Sequence, residues 1–275
     1  MDWTKLESLM DEIYASKTGC PSYPLLTLLR SLLLDIWYKL SDQQLASSLA
    51  RDLLFRRFCR LELSSDIPDA ITLGRFRQQL VDHDLWERLL GEVNRQLEDK
   101  HIIMSKGRGS GWHVKQDSRG KLKSTYGFSV HTGVDEDGFI HRQTVTPGNV
   151  HDSRERDTLL LGDESELYAD AAYSSAETRD KLVLFGIEDR VQRKGYRKHP
   201  LSAVDHQRNK EIAVTRSGGE RPFATYKRLY GLARTRFIRL DKNLTFYGLA
   251  AMASNIRKGV KFLTLYGIRE PAPTG

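Results

Sequence analysis

The spacing of apolar residues changes near the middle of this 275-residue chain. In the first hundred residues they recur at helical intervals, as at every fourth position over residues 85–97, which is typical of an amphipathic helix. Over residues 126–134 alternate side chains share one face, which is the period of a strand. The sequence therefore predicts a helical first part followed by an α/β part, and it excludes a single bundle or a β-sandwich.

Two capping patterns locate helices in the first part. Ser41 followed by Gln44 has the form of a capping box, and Asp84 followed by Glu87 has the same spacing with Asp84 as the cap. The second of these helices is expected to end near Lys100. Residues 67–77 form a turn that leads into a basic helix, so the short helices resemble a helix-turn-helix, although most small helical domains do not read DNA.

Residues 104–124 are rich in glycine and poor in apolar side chains. Their glycines are misplaced for a dinucleotide-binding loop, so we interpret the segment as a linker. The expected organisation is a helical N-terminal domain over residues 1–103, the linker over 104–124, an α/β domain over 125–268 and a tail over 269–275.

The α/β part begins with a hairpin whose turn lies at residues 135–138. A helix is expected from Asp152, a short strand at residues 167–169 that ends in the carboxylate of Asp170, and another helix from about Ser174. This order predicts a mixed sheet with flanking helices. A last amphipathic helix, over residues 244–256, is expected to pack on that sheet.

The positive charge of the chain is concentrated in one segment. The net charge is +7, yet residues 190–239 contain fourteen Lys and Arg against three acidic residues, and five aromatic residues lie among them. Cations interleaved with aromatics fit a groove that follows a phosphate backbone. The alternative is an ordinary solvated helix surface.

Other classes of protein are disfavoured. The two cysteines, Cys20 and Cys59, allow at most one disulfide bond and lack zinc-ligand spacing, so a disulfide scaffold is excluded and a reducing cytoplasm is expected. The most apolar window, residues 24–40, contains Arg30, Asp35 and Lys39, so no membrane span is expected. A zinc site built on His141 and His151 is a poor alternative.

Three stretches, residues 126–135, 146–152 and 168–173, resemble in that order a family of bacterial enzymes. They are similar to insertion-sequence transposases of the DDE class, in the group named after insertion sequence five. The resemblance continues through residues 216–227 and 230–234, and residues 67–77 are similar to the helical domain of that group. It therefore covers nearly the whole chain.

The resemblance implies a ribonuclease-H-like fold in which three carboxylates hold two Mg²⁺ ions, with Mn²⁺ as a possible substitute. These ions would activate a water or a DNA 3′ hydroxyl and stabilise the departing oxygen. The second carboxylate would be Asp170 and the last Glu220, which Arg216 and Lys227 flank. If this stretch is helical, intervals of four and seven place the three side chains of residues 216, 220 and 227 on one face. The alternative for Arg216 and Glu220 is a surface salt bridge.

The first carboxylate is implied on a strand before the hairpin, but no matching sequence occurs there, as though a segment with that strand had been lost. Asp117 is the sole acidic residue between Asp99 and Asp135. Asp135 and Asp137 belong to the hairpin turn and are poorer candidates. Without a third ligand, metal binding and strand transfer should be weakened, and loss of the strand should leave a gap in the sheet.

Two functions are therefore expected from the sequence. The first is a DNA transposase that cleaves and joins DNA at terminal inverted repeats, as a homodimer or larger assembly in the bacterial cytoplasm and nucleoid. The second is a catalytically inactive DNA-binding derivative that competes with an intact transposase or regulates it. The DNA-binding residues predicted for either function are Arg75, Arg77, Arg216, Lys227, Arg228, Arg234 and Arg236.

Overall fold

The structure, a computed structural model, describes residues 1–14, 23–102, 109–110, 127–148, 159–160, 164–196, 199–216 and 220–266. The chain divides into two compact units. The helical unit combines Met1–Lys100 with Thr225–Ile268, and the sheet unit combines His101–Ala224 with Arg269–Gly275. This division differs from the expected one, in which residues 125–268 form one domain.

Short helices make up most of the helical unit. They are α1 (Trp3–Ser8), a 3₁₀ turn (Asp11–Tyr14), α2 (Leu25–Tyr38), α3 (Asp42–Arg51), α4 (Leu53–Cys59), α5 (Ala70–Asp82) and α6 (Trp86–Glu98). The sheet unit contains α7 (Ala176–Leu184), α8 (Ala203–Arg216) and α9 (Arg221–Ala224). A π-helical turn (Thr225–Leu229) and α10 (Leu240–Tyr266) belong to the helical unit.

Side chains near the helix ends explain why some of these helices begin where they do. The predicted capping box is confirmed: Ser41 Oγ accepts from Gln44 N at 3.2 Å, and Gln44 Oε1 accepts from Ser41 N at 2.8 Å. The prediction that Asp84 caps α6 is wrong. Asp84 lies two residues beyond α5, with a positive φ of 47°. There it belongs to the Schellman-type turn that terminates α5, in which Leu85 N donates to Leu80 O.

The C-terminal helix α10, which was expected to pack on the sheet, packs against α2, α5 and α6 of its own unit. Trp37 Nε1 donates to Ala253 O at 3.0 Å, and the buried Asn255 side chain donates to Asn94 Oδ1 at 2.7 Å. Gly248 lies so close to the Trp86 ring that a Cβ atom would collide with it. This small residue therefore lets α10 approach the N-terminal helices, which explains why residues 225–268 belong to the helical unit.

A five-stranded mixed sheet forms the centre of the sheet unit. Its strands are β1 (Gly109–Ser110), β2 (Phe128–Val134), β3 (Ile140–Pro147), β4 (Glu166–Ala169) and β5 (Glu188–Val191), in the spatial order β3-β2-β1-β4-β5. Strand β1 pairs antiparallel with β2 and parallel with β4, and β4 pairs parallel with β5. The predicted hairpin is β2 and β3, which pair antiparallel around residues 135–139.

Strand β1 corrects two sequence interpretations. Gly109 and Ser110 lie within the predicted linker, yet they pair with β2 on one side and with β4 on the other. The gap expected from a lost strand is therefore bridged by these two residues. A two-residue strand has no hydrophobic period to recognise, because its position is set by the hydrogen-bonding edges of its neighbours.

An apolar core holds β4, β5 and α7 together. Its buried members are Leu159, Leu167, Ala169, Tyr173, Leu182, Ile187 and Val191. Ser175 caps α7, because its side chain accepts from Thr178 N at 3.0 Å, which confirms the helix expected from about Ser174. The helix expected from Asp152 lies largely outside the described residues.

Candidate functional site

Asp170 directly follows β4, at the carboxyl end of the parallel pair β4 and β5. Its carbonyl accepts from Tyr173 N at 3.1 Å and so begins a 3₁₀ turn (Ala171–Tyr173), while Gln192 N donates to Ala169 O at 3.0 Å. The Asp170 side chain is partly exposed. In open α/β sheets, ligands bind outside the carboxyl ends of strands, so this carboxylate lies where chemistry is expected.

Helix α8 packs against β4 and ends at Arg216. Arg208 and Ile212 precede Arg216 at intervals of four and therefore share its side of the helix. Ile212 is buried, and the Arg208 guanidinium donates to the carbonyls of Val191 and Asp189 at 2.7 and 2.6 Å. These contacts orient the helix face that carries Arg216. Arg208 was not predicted as a positioning residue, although its interval of eight from Arg216 places both on one side of a helix.

Arg216 and Glu220 are paired, with Nη2 and Oε1 3.2 Å apart. The arginine side chain is 14% exposed and the glutamate side chain 43%, so the pair is accessible to solvent from the glutamate side. The surface salt bridge anticipated as the alternative is therefore present. A guanidinium beside a carboxylate orients it through a charge-assisted hydrogen bond.

The single helical face expected for residues 216–227 is not observed. Arg216 ends α8, residues 217–219 lie outside the described part, and Lys227 belongs to the π-helical turn of the other unit. A π turn has a wider period than an α-helix, so an interval of seven no longer preserves the face. The structure therefore shows an ion pair between Arg216 and Glu220, and Lys227 belongs to the other unit.

No described residue takes the place of the first carboxylate. The described central strand, Gly109–Ser110, contains no acid, and Asp117 lies outside the described residues. Asp135 is buried at the hairpin, where Oδ1 accepts from Phe139 N at 2.8 Å and Oδ2 lies 3.1 Å from His141 Nε2. Both oxygens therefore have protein partners in the turn.

The fit of these residues to a metal centre is incomplete. Asp170 and Glu220 have the hard oxygen donors that Mg²⁺ prefers. Among the residues that the structure describes, however, no group of three His, Cys, Asp or Glu side chains is placed to hold one metal ion. The described donors therefore do not by themselves form the three-carboxylate set implied by the resemblance.

Two of the arginines predicted to bind DNA are part of a charge network inside the helical unit. Arg77 is buried and contacts Asp42 through both terminal nitrogens, at 3.0 and 2.7 Å, and Asp35 at 3.1 Å. Arg236 also pairs with Asp35, and both guanidinium groups lie over the Phe237 ring. Burial raises the pKa of Asp35, against the opposing effect of the two arginines. These contacts indicate a structural role for Arg77 and Arg236.

The remaining predicted DNA-contact residues of the helical unit are exposed: Arg75, Lys227, Arg228 and Arg234. Lys227 and Arg228 lie in the π-helical turn, where the Lys39 ammonium donates to the Arg228 carbonyl at 3.0 Å. Solvent-exposed guanidinium and ammonium groups are available to phosphate oxygens. These four side chains therefore keep the accessibility that a DNA contact requires.

The basic segment is less positive in the structure than its count of residues suggests. Among the residues that the structure describes in this segment, six arginines form ion pairs: Arg190, Arg193, Arg208, Arg216, Arg236 and Arg239. Apart from Glu220, their acidic partners lie outside residues 190–239. The charge of residues 190–239 alone does not include these acidic partners, so it overstates the local positive charge.

Two protein families match the chain. Residues 1–79 match the family described as Transposase domain (DUF772), and residues 95–256 match the family described as Transposase DDE domain. The second match covers more than half of the residues of the chain, so the chain belongs to the Transposase DDE domain family. No solved structure matches the chain.

The family membership confirms the resemblance to DDE transposases. The narrower assignment to the group named after insertion sequence five stays a prediction. None of the described helices has the length and apolar character that a bilayer crossing needs.

Proposed function

We propose that this protein is a DNA transposase that cleaves DNA at the ends of an insertion sequence and joins those ends to a new site. The observation that carries the proposal is the position of Asp170, at the carboxyl end of β4, within the region that matches the DDE family. Ligands of open α/β sheets bind beyond the carboxyl ends of the strands, which is where Asp170 lies.

A ribonuclease-H-like fold is part of this proposal. It is supported by the mixed sheet, in which an antiparallel hairpin lies beside the parallel strands β1, β4 and β5. It is also supported by α8, which packs on β4 and leads towards Glu220. In this arrangement Asp170 and Glu220 are the two acidic residues proposed for catalysis.

Mg²⁺, with Mn²⁺ as its substitute, is the proposed cofactor, and Asp170 and Glu220 are its proposed ligands. These two residues supply two of the three carboxylates that the resemblance implies. The role proposed for Arg216 is to orient the Glu220 carboxylate through their 3.2 Å ion pair. The Arg208 contacts with β5 in turn support the helix that ends at Arg216.

The proposed partner is double-stranded DNA with terminal inverted repeats. Arg75, Lys227, Arg228 and Arg234 are the proposed phosphate contacts, because these side chains are exposed in the helical unit. Pairing two DNA ends requires at least two copies of the protein, so a homodimer or larger assembly on DNA is proposed. Binding of this kind weakens as salt rises, because each phosphate contact releases condensed counterions.

A nicking assay tests the proposal. The full chain is incubated with labelled duplexes that carry the inverted repeats of its own element, in Mg²⁺ or Mn²⁺. We expect Asp170→Asn to lose at least about 100-fold in nicking rate, because removing a direct ligand should cost more than the roughly 10–100-fold of an outer-shell change. Binding of the duplex should persist.

Asp180→Asn is the matched control. Asp180 is an exposed acid of α7, so the same change of charge should leave nicking unaffected. Equal rates in the wild type and Asp170→Asn would exclude Asp170 from the chemistry. Equal losses in the two variants would indicate a general effect of charge.

A second function, a DNA-binding derivative without cleavage, is favoured by one observation. The two described residues of the central strand, Gly109 and Ser110, contain no carboxylate at the position where the resemblance implies the first catalytic acid. For such a derivative the wild type should bind end DNA and give no nick with either metal. Added to an intact transposase of the same element, it should then reduce transposition.

A further inference from the structure

A cavity of about 510 Å³ lies in the helical unit, far in sequence from the proposed catalytic residues. Its wall is formed by α1, by the beginning of α2 and by Arg60, which directly follows α4. The side chains that matter for its chemistry are Trp3, Glu7, Arg30 and Arg60, with Asp2 at the edge. Two arginines therefore line one cavity.

Arg30 has no anionic partner among the residues that the structure describes. Its side chain is only 5% exposed, its Nε atom makes no hydrogen bond, and its guanidinium carbon lies 4.4 Å from the centre of the Trp3 ring. Buried charges in proteins are ordinarily paired or hydrogen-bonded, because burial removes their hydration. A stacked ring offsets part of that loss and leaves the edge of the guanidinium available.

The charges around Arg30 do not supply the missing partner. Desolvation lowers the pKa of Arg30, and the nearby Arg60 lowers it further, whereas the opposing effects of Cys59 and then Glu7 are smaller. The Asp2 carboxylate is used in capping α1, where it accepts from the Thr4 amide at 3.1 Å and from the Thr4 hydroxyl at 2.6 Å. An anion between the two guanidinium groups would relieve their mutual repulsion.

We propose that this cavity binds a phosphate group, held by Arg30 and Arg60, with the Trp3 ring as one wall. The guanidinium fork matches phosphate oxygens in geometry and charge. The volume exceeds what a phosphate alone needs and lies in the range of sites for small organic ligands. The phosphate therefore comes either from a free nucleotide or from the backbone of DNA, and the two sources share this chemistry.

Calorimetric titration of the full chain tests the proposal. The probes are inorganic phosphate, deoxyadenosine monophosphate, deoxyadenosine without phosphate, and a short duplex, at constant ionic strength. We expect both small phosphates to bind and deoxyadenosine not to bind. Arg60→Gln should weaken phosphate binding by about 10–100-fold, the value of one charge-assisted hydrogen bond. Arg57→Gln, an exposed arginine of α4 outside the cavity wall, should leave it unchanged.

A second measurement separates binding from a structural role of Arg30. Phosphate should raise the unfolding temperature of the wild type and of Arg57→Gln, but not that of Arg30→Met. Absence of phosphate binding by the wild type, or equal affinities of the wild type and Arg60→Gln, would overturn the proposal. A duplex that competes with inorganic phosphate identifies DNA as the source, and one that does not compete identifies a free phosphate compound. These readouts do not depend on DNA cleavage, so they succeed or fail separately from the proposed transposase activity.

Discussion

One ion-paired arginine of the helical unit and two of the sheet unit lie in different environments. In the helical unit, Arg77 has a side chain that is 7% exposed and is held between two carboxylates. In the sheet unit, Arg190 pairs with Glu188 while 39% of its side chain is exposed, and Arg193 pairs with Asp189 at 31% exposure. The ion-paired arginine is therefore buried between helices in the first case and partly exposed in the other two.

This contrast separates stability from DNA binding. Breaking a buried pair leaves an uncompensated charge and is expensive, whereas a solvent-exposed pair contributes about 0–1 kcal/mol. An exposed arginine can also exchange its carboxylate for a phosphate at little cost. We therefore expect mutations of arginine in the two environments to affect different measurements.

The largest effect is expected at Arg77. Arg77→Ala should lower the free energy of unfolding by about 3–5 kcal/mol, because it leaves Asp35 and Asp42 without their shared cation. Chemical denaturation followed by circular dichroism measures this change. A loss below about 1 kcal/mol would show that Arg236 alone compensates Asp35.

Arg75→Ala provides the control, because Arg75 lies two residues earlier on α5 and is exposed. Its stability should change by less than about 0.5 kcal/mol. If Arg75 contacts a phosphate, the slope of log affinity against log salt should become shallower by about 1. An unchanged slope would remove Arg75 from the proposed DNA contacts.

Local features of the fold could be predicted from the sequence. The capping box at Ser41, the hairpin of β2 and β3, and β4 ending before Asp170 each depend on residues close together in the chain. Short-range hydrogen bonds and alternation are enough to specify such elements. The local pattern placed Asp170 at the end of a strand, and the resemblance of residues 168–173 to DDE transposases made it a candidate.

The features that the sequence did not reveal depend on distant partners. Arg77 contacts Asp35, which is 42 residues away in the sequence, and Asp42, which is 35 residues away. Asp35 also pairs with Arg236 across 201 residues. The apolar stripe of α10 predicted a buried face but could not identify the N-terminal helices as its partner. Arg30 stood out only as an interruption of an apolar window, because nothing local shows that it lacks an acidic partner.

The sheet unit has its own buried titratable group, His131 on β2. It is 2% exposed, its Nε2 is hydrogen-bonded to Thr146 Oγ1 at 2.8 Å, and burial lowers its pKa from 6.5 to about 4. The unfolded chain therefore binds this proton more readily than the folded one. Stability should fall as the pH drops from about 6.5 to about 4, by up to about 3 kcal/mol in total.

Denaturation at pH 7, 5.5 and 4.5 measures this dependence. His131→Gln should make the stability curve flatter over this range, because glutamine does not titrate. His206→Gln, at an exposed position of α8, should leave the curve as it is in the wild type. An equally steep loss in His131→Gln would assign the acid sensitivity to the carboxylates of the chain.

The smallest effect compares matched serine caps in the two units. Ser41 caps α3 in the helical unit and Ser175 caps α7 in the sheet unit, each by accepting from the amide three residues later. Replacing either by alanine should cost about 1 kcal/mol, because one helix-terminal N–H loses its acceptor.

Amide hydrogen exchange locates the loss: Ser41→Ala should lower protection in α3 and spare α7, and Ser175→Ala should do the reverse. Ser47→Ala, at an exposed interior position of α3, should be neutral or slightly stabilising, since alanine is the better helix former. If either cap variant lowered protection equally in both helices, the two units would unfold as one cooperative body, and the contrast drawn between their arginines would have to be measured at each side chain and not by unit.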